Sequence, residues 1–140
     1  MKHKITQEQV RALINLAKQG KNSAYAPYSN YPVGASVMTE DGSLYYGCNI
    51  ENASYGLTNC AERTAIFKAV CEGKRELIAI AVIADSESYA SPCGACRQVL
   101  MEFGRNASVI LANKHGDYRM MTSQELLPGA FTPDELDDNS

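Results

Sequence analysis

The sequence predicts an α/β fold in which helices cover a mixed sheet. Along the chain, segments whose apolar residues recur at helical intervals alternate with short segments that are mostly apolar. The run from Leu77 to Ala84 is continuously apolar, as in strands that are buried on both faces of a sheet. Two other apolar segments flank a Glu-Asp-Gly turn and indicate a hairpin. Because no repeat or linker divides the chain, we expect one domain over residues 1–140, with residues 1–5 and 133–140 frayed.

The first predicted helix begins after Thr6. Thr6 and Gln9 have the spacing of a capping box, in which each side chain accepts a hydrogen bond from the other residue's backbone N–H. We predict that the helix ends at Gly20, because glycine commonly terminates helices. The apolar residues that recur at helical intervals are Val10, Leu13, Ile14 and Ala17.

The predicted hairpin joins residues 33–38 to residues 44–48 through the turn at 40–42. The preceding segment, 23–32, is rich in Tyr, Ser, Asn and Pro and predicts a loop, and the polar segment 49–59 predicts irregular structure. The remaining predicted elements are, in order, a helix over 60–73, a strand over 77–84, a helix containing Val99, Leu100 and Phe103, strands over 109–112 and 118–121, and a short helix over 123–127.

Composition excludes several classes of protein. Hydrophobic residues make up 45% and charged residues 21% of the chain, which is typical of globular proteins and excludes disordered, collagen-like and coiled-coil chains. The formal charge is −3, so neither nucleic acid nor an anionic membrane is an expected partner. The apolar runs are shorter than the roughly 20 residues of a membrane span, and the first residues lack the apolar core of a signal peptide. We therefore expect a cytoplasmic protein.

Three of the five cysteines have the spacing of a metal site. Cys93 and Cys96 form a C-x-x-C pair at the start of a predicted helix, and Cys60 begins another. Helix N-termini lower thiol pKa values and so favour the thiolate that binds metal. Because zinc prefers thiolate ligands, we expect these three cysteines to converge on one Zn²⁺.

A fourth protein ligand is less well supported. Cys71 lies eleven residues along the helix from Cys60, a rise of about 16 Å, and cannot share the ion. Cys48, His3 and His115 are alternative ligands, but a buried thiol and solvated histidines are the commoner states. Three cysteines with a water as fourth ligand form a catalytic rather than a structural arrangement.

Two kinds of charged residue next to the cysteines fit such a site. Glu62 has a carboxylate that can take a proton from a metal-activated water. Zn²⁺ with three thiolates has a net charge of −1, so a guanidinium donating to the sulfurs would restore Lewis acidity. We expect this of Arg63, whereas Arg97 either does the same or lies solvated at the surface.

Together these motifs resemble the zinc-dependent cytidine/deoxycytidylate deaminase family, in its small, single-domain, bacterial-type form. Cys-Ala-Glu followed by Pro-Cys-x-x-Cys is the Cys₃ version of the zinc deaminase signature. The resemblance covers about residues 25–131 and implies a three-layer α/β/α fold with a mixed five-stranded sheet. The longer matching blocks are Asn49 to Gly56, Cys60 to Ala65, Ser91 to Gln98 and Glu125 to Pro128.

The resemblance implies a reaction. Members hydrolyse free cytidine and 2′-deoxycytidine to uridine and 2′-deoxyuridine plus ammonia, in pyrimidine salvage. Cys60, Cys93 and Cys96 would hold one zinc ion per chain, and the zinc-bound hydroxide would attack C4 of the pyrimidine. Glu62 would act as the proton shuttle, from the water to ring N3 and then to the departing amine.

The resemblance also implies the substrate contacts and a homotetramer whose sites are shared across subunits. The Ala61 N–H would hold the pyrimidine oxygen, and Asn49 and Glu51 would bind the ribose 3′-hydroxyl, unless they only form a polar loop. The remaining residues in substrate-binding positions are Ala53, Tyr55 near a neighbouring subunit's 5′-hydroxyl, Tyr31 over the base where many members have Phe, and Phe131 closing an adjacent pocket.

Three alternatives stay open. A binding module with a structural zinc would normally have a fourth Cys or His. A deaminase of bases within RNA or DNA would need a basic groove, which this acidic chain lacks. A deaminase of nucleoside antibiotics is less favoured, because Asn49, Glu51 and Arg63 match the enzymes of free nucleosides.

Overall fold

Five strands form one sheet in the computed structural model, which describes residues 5–136. They are β1 (Val33–Thr39), β2 (Leu44–Cys48), β3 (Leu77–Ala84), β4 (Ser108–Ala112) and β5 (Tyr118–Thr122). Their order across the sheet is β2-β1-β3-β4-β5. Strands β3 and β4 are parallel, and the other neighbouring pairs are antiparallel. The prediction of a mixed five-stranded sheet is confirmed.

Helices cover both faces of this sheet. They are α1 (Gln7–Lys21), α2 (Ala61–Cys71), α3 (Gly94–Phe103) and α4 (Ser123–Leu126), with 3₁₀ turns at Tyr55–Leu57 and Pro133–Glu135. Helix α1 contributes its buried side chains to a core on one face, and α2 and α3 contribute theirs to a core on the other. The three-layer α/β/α arrangement is therefore present.

Strand β3 separates the two cores. Ile80, Val82 and Ala84 face the core under α2 and α3, whereas Ala79, Ala81 and Ile83 face the core under α1. Both sets are buried, which confirms the prediction of a strand buried on both faces. A strand in this position has its carboxyl end between the helix layers, where ligand sites of α/β sheets commonly form.

Helix α1 begins as its sequence predicts but ends one residue later. The Thr6 side chain accepts from the Gln9 N–H at 3.1 Å, and the Gln9 side chain accepts from the Thr6 N–H at 2.9 Å. The predicted end at Gly20 is wrong, since α1 continues to Lys21. Gly20 has a packing role instead, because a Cβ at this position would lie 2.4 Å from the carbonyl oxygen of Gly47.

Gly47 of β2 lets helices approach the sheet from both faces. A Cβ on Gly47 would lie 2.5 Å from the Ala65 nitrogen and 2.8 Å from the Ala61 oxygen, both in α2. No side chain other than hydrogen fits at such distances. This close contact fixes the first turns of α2 against the edge of the sheet.

The segments that were expected to fray are only partly described. Residues 1–4 and 137–140 lie outside the described residues. Ile5 packs against the core under α1, and the side chain of Thr132 caps the 3₁₀ turn Pro133–Glu135. Within residues 5–136, none of the helices has the length and apolarity that crossing a membrane requires.

Candidate functional site

Three cysteine sulfurs meet where the N-termini of α2 and α3 converge. Cys60 is the N-cap of α2, Cys93 is the N-cap of α3, and Cys96 lies in the first turn of α3. The Sγ of Cys93 lies 3.8 Å from that of Cys60 and 3.5 Å from that of Cys96, and all three atoms lie within 4.8 Å of one another. A tetrahedral zinc with bonds of about 2.3 Å places its sulfurs about 3.8 Å apart. The three side chains therefore fit one zinc ion.

The other candidate ligands lie elsewhere. The Cys48 thiol donates to the Ser23 carbonyl at 3.4 Å, and burial raises its pKa. Cys71 is exposed, and the His115 ring lies 3.0 Å from a carboxylate oxygen of Glu87. His3 is outside the described residues. Within residues 5–136 the protein ligand set is therefore three thiols, the number that is typical of catalytic zinc.

The cluster favours the thiolate form at Cys60. Its pKa is lowered to about 5, first because the Cys96 thiol donates a hydrogen bond to it and then because Arg63 does. The pKa of Cys96 is raised by the same hydrogen bond and by burial. A bound divalent cation would deprotonate all three thiols, since it supplies a larger positive charge than any neighbouring side chain.

Arg63 supplies a positive charge at the cluster. Its Nη2 donates to the Cys60 sulfur at 3.3 Å, and this contact raises the pKa of the guanidinium. Its Nε is buried and has no hydrogen-bond partner among the described residues. Arg63 thus lies where the sequence analysis expected it.

Arg97 does neither of the two things expected of it. Its guanidinium donates to the carbonyls of Pro92 and Leu126 and to the hydroxyl of Ser91, each at 2.9 Å. The expectation of a sulfur contact or a solvated side chain is wrong, because three oxygen acceptors lie within its reach. No local signal marked Leu126 as a partner, since it lies 29 residues further along the chain.

Glu62 is a buried carboxyl beside the sulfurs. It lies in the first turn of α2 and is 5% exposed. Burial raises its pKa to about 7, with the nearby Cys60 charge acting in the same direction. A carboxyl with a pKa near neutrality can both accept and release a proton at physiological pH.

Cys60 and Cys93 border a small cavity of about 190 Å³, and Cys96 is buried behind them. Cys60, Glu62 and Cys93 line one side, and Val82 and Ala84 at the carboxyl end of β3 form an apolar wall. A larger cavity of about 550 Å³ lies between α1 and the β4–β5 turn, but it holds no cysteine. We place the candidate site at the smaller cavity because the reactive groups converge there. Sequence reasoning did not identify Val82 or Ala84, because an apolar strand residue carries no sign of its place at the strand end.

Asn49 and Glu51 line adjoining cavities. Asn49 is buried in the wall of the cysteine cavity, where its amide accepts from the Val33 N–H and donates to the Tyr31 carbonyl, each at 2.9 Å. Glu51 lines a neighbouring cavity of about 330 Å³ and accepts hydrogen bonds from the backbone of Tyr28 and from Ser29. The Ser29 hydroxyl is the main reason that the pKa of Glu51 is lowered. Thr58, which sequence reasoning missed, lines both cavities.

The other predicted contact residues are only partly gathered in one chain. Tyr31 lines the cysteine cavity, and Ala61 is fully buried next to Cys60. Tyr55 lines the neighbouring cavity and is 73% exposed, whereas Phe131 is 57% exposed and lines neither cavity. Ala53 is exposed in the loop before the first 3₁₀ turn.

Comparisons with known proteins agree with this geometry. The family model described as "Cytidine and deoxycytidylate deaminase zinc-binding region" matches residues 7–112. The chain is 53% identical to a cytidine deaminase of Sporosarcina psychrophila over 91% of its own length and 94% of that protein, and 54% identical to one of Halalkalibacterium halodurans over 90% and 96%. A crystal structure of cytidine deaminase from Burkholderia pseudomallei matches with a TM-score of 0.85 at 50% identity, covering 91% of this chain and 100% of that one.

Proposed function

The chain belongs to the cytidine and deoxycytidylate deaminase family, and we propose that it hydrolyses free cytidine and 2′-deoxycytidine to uridine and 2′-deoxyuridine with release of ammonia, in pyrimidine salvage. The observation that carries the proposal is the cluster of three cysteine sulfurs, two of whose residues line one cavity together with a buried glutamate. Zinc is the cofactor, with one site per chain. A salvage enzyme of this kind works in the cytoplasm, where reducing conditions keep ligand thiols free.

We assign the zinc ligands to Cys60, Cys93 and Cys96. When bound, Zn²⁺ supplies the Lewis acidity that makes a water molecule nucleophilic at neutral pH. Arg63 withdraws negative charge from the ligand set through its contact with the Cys60 sulfur. The ligands sit on two helix N-termini, whose dipoles favour the thiolate state.

Glu62 moves the protons of the reaction. It accepts a proton from the attacking water and delivers it to ring N3 as the nucleophile adds at C4. It then transfers the second water proton to the exocyclic amine, which leaves as ammonia. Water and cytidine are thus converted to uridine and ammonia with no external acid or base. Burial of Glu62 raises its pKa toward the neutral range, which favours a group that must both take up and release a proton.

The pyrimidine is held by groups around the cysteine cavity. The Ala61 N–H lies at the start of α2, where backbone donors have no partner within the helix, and it donates to the pyrimidine oxygen. The ring of Tyr31 lines the cavity and stacks on the base.

The sugar is held by polar side chains whose positions are already ordered. Asn49 has one amide hydrogen engaged with the Tyr31 carbonyl, so its second hydrogen is available to the 3′-hydroxyl. The Glu51 carboxylate has lone pairs beyond those used by Tyr28 and Ser29 and accepts from the same hydroxyl. Ala53 provides backbone contact in the loop that follows.

We infer that the active enzyme is a homotetramer in which neighbouring subunits complete each site. Tyr55 and Phe131 carry large exposed apolar surfaces and do not line their own chain's cysteine cavity, which supports roles in another subunit's site. In the assembly, Tyr55 lies near a neighbour's 5′-hydroxyl and Phe131 closes an adjacent pocket. No nucleic acid or membrane partner belongs to this proposal.

The test is the loss of absorbance as purified protein converts cytidine to uridine, with zinc measured in the same sample. A cytosine-containing oligonucleotide is assayed in parallel. Conversion of the nucleoside alone, with one zinc per chain, supports the proposal. Conversion of the oligonucleotide would overturn the restriction to free nucleosides, and zinc without conversion of either substrate would favour a structural zinc module.

A further inference from the structure

Arg97 links the loop that carries a zinc ligand to a separate part of the fold. It follows Cys96 directly in α3 and is partly buried. Its Nε donates to the Pro92 carbonyl, its Nη2 to the Ser91 hydroxyl and its Nη1 to the Leu126 carbonyl, each at 2.9 Å. One planar side chain thus satisfies three acceptors in different directions.

The loop end of this link lies directly before Cys93. Residues 85–93 have no helix or strand, so no ladder of backbone hydrogen bonds holds them. Ala90 is attached to β4 through the Ala112 carbonyl at 3.1 Å. Between that attachment and the start of α3, the Arg97 guanidinium supplies the bonds to Ser91 and Pro92. Cys93 itself accepts the Cys96 N–H at its sulfur, at 3.4 Å, whereas Arg97 holds the two residues that lead into it.

The other end of the link is firmly anchored. Leu126 ends α4, and its side chain is 7% exposed within the core under α2 and α3. Helix α4 is held by a capping box at Thr122 and by the Ser123 hydroxyl, which donates to the Gly104 carbonyl at 2.7 Å. The last carbonyls of a helix have no donor within the helix, so the guanidinium supplies the donor that the Leu126 carbonyl lacks. Arg97 thus connects the loop to the core.

We propose that Arg97 is a positioning residue of the zinc site, which holds the Cys93 sulfur in register with those of Cys60 and Cys96. It touches neither the sulfurs nor the substrate and acts through Ser91 and Pro92. Groups that orient metal ligands commonly change metal affinity by about 10–100-fold when they are removed. The inference rests on the proposed zinc ligands but not on the identity of the substrate.

The test measures zinc release from the full-length, zinc-loaded protein to a colorimetric chelator. We expect Arg97→Ala to release zinc at least about tenfold faster than the unchanged protein. Arg97→Lys should release zinc nearly as fast as Arg97→Ala, because an ammonium group cannot donate to three acceptors that surround a planar guanidinium. With Co²⁺ in place of zinc, the visible absorption bands of the Arg97→Ala protein should shift, because they report ligand geometry rather than global stability.

Two control variants separate positioning from general stabilisation. Arg75 also donates to backbone carbonyls, at Val70 and Lys74, but lies at the far end of α2 from the cysteines. Gln98 is the next residue of α3 after Arg97, and its side chain donates to the Phe131 carbonyl at 2.8 Å rather than to Ser91 or Pro92. Arg75→Ala and Gln98→Ala should both keep the zinc release rate and the Co²⁺ spectrum of the unchanged protein.

Further variants keep the test decisive if Arg97→Ala does not fold. Ser91→Ala removes one of the three bonds and should accelerate zinc release by less than the roughly tenfold expected of Arg97→Ala. Unchanged release and an unchanged Co²⁺ spectrum in folded Arg97→Ala, or in both Arg97→Lys and Ser91→Ala, would overturn the proposal. If Cys93→Ala itself retains zinc, the proposed ligand set is wrong. If Cys93→Ala loses zinc while the Arg97 and Ser91 variants behave like the unchanged protein, the ligand set stands and only the role of Arg97 is refuted.

Discussion

The Sγ atoms of Cys60 and Cys93 lie 3.8 Å apart although 33 residues separate them in the chain. Each cysteine is the N-cap residue of a helix, and the two helices lie on the same face of the sheet. The zinc site therefore depends on how α2 and α3 pack, and both helix N-termini contribute positive potential to it. Substitution of either cysteine would remove one of the three proposed ligands without removing the helices.

Cys93→Ala should lose zinc. Removing a ligand is more damaging than removing a group that orients one, so we expect zinc affinity to fall by more than about a hundredfold. Cys71→Ala is the matched control, because this exposed thiol lies at the far end of α2 and should leave the zinc content unchanged. Elemental analysis of the purified proteins measures both. Full zinc content in Cys93→Ala would remove this residue from the ligand set.

Glu62→Gln should keep zinc and lose most turnover. Glutamine has nearly the same shape but cannot carry a proton, and general acid–base groups commonly contribute about 100- to 10,000-fold to rate. We expect kcat for cytidine to decrease by a factor within that range. Glu72→Gln, at the exposed end of the same helix, serves as the control and should retain kcat. Near-normal turnover in zinc-loaded Glu62→Gln would contradict the proton-transfer role.

Much of the fold was predictable because its signals are local. The capping box at Thr6, the continuous apolar run of β3 and the C-x-x-C spacing all lie within a few residues of chain. The role of Arg97 was not predictable, since its acceptor at Leu126 is brought near only by the packing of α4. Glu51 is similar, because the Tyr28 and Ser29 groups that orient its carboxylate come from a loop 22 or 23 residues earlier.

Gly47→Ala should destabilise the fold and disturb the start of α2. The added methyl would lie 2.5 Å from the Ala65 nitrogen, so α2 must move away from β2. Overpacking of this kind costs about 1–3 kcal/mol or more in the free energy of unfolding. Gly56→Ala is the control, because a Cβ at Gly56 meets nothing within 4 Å. Urea denaturation measures both, and equal midpoints for the two variants would contradict the close contact.

Asp41 should contribute to stability at neutral pH but not in strong acid. The Lys74 ammonium, 2.7 Å away, is the main cause that lowers its pKa, and the Thr39 hydroxyl adds to it. A carboxyl whose folded-state pKa is lowered stabilises the protein above its unfolded pKa of about 3.9. That contribution is lost as the pH falls through the lowered folded-state value.

Asp41→Asn therefore should weaken the fold near pH 7 and flatten the loss of stability below about pH 4. Thermal unfolding at a series of pH values measures this. Glu102→Gln, which changes an exposed carboxyl on α3, is the control and should leave the curve unchanged. Parallel pH curves for Asp41→Asn and the unchanged protein would show that the turn does not depend on this ionised group.

Phe131→Ala should impair substrate binding in a neighbouring subunit. Phe131 is 57% exposed and lies outside its own chain's cysteine cavity, so we expect a higher KM for cytidine, by about tenfold for the loss of a buried aromatic contact. The zinc content should not change. Light scattering should give the mass of four chains for the unchanged protein.

Mixing two defective variants tests the sharing of sites directly. If Phe131 acts in another subunit, a hybrid of Phe131→Ala and Glu62→Gln chains contains some sites with Glu62 from one chain and Phe131 from the other. Such sites are intact. When the two variants are refolded together and assayed at a cytidine concentration well below KM, the activity of the mixture should therefore exceed the sum of their separate activities. Each variant refolded alone is the control. Activity equal to the sum, with hybrid tetramers detected by native mass spectrometry, would mean that each chain completes its own site.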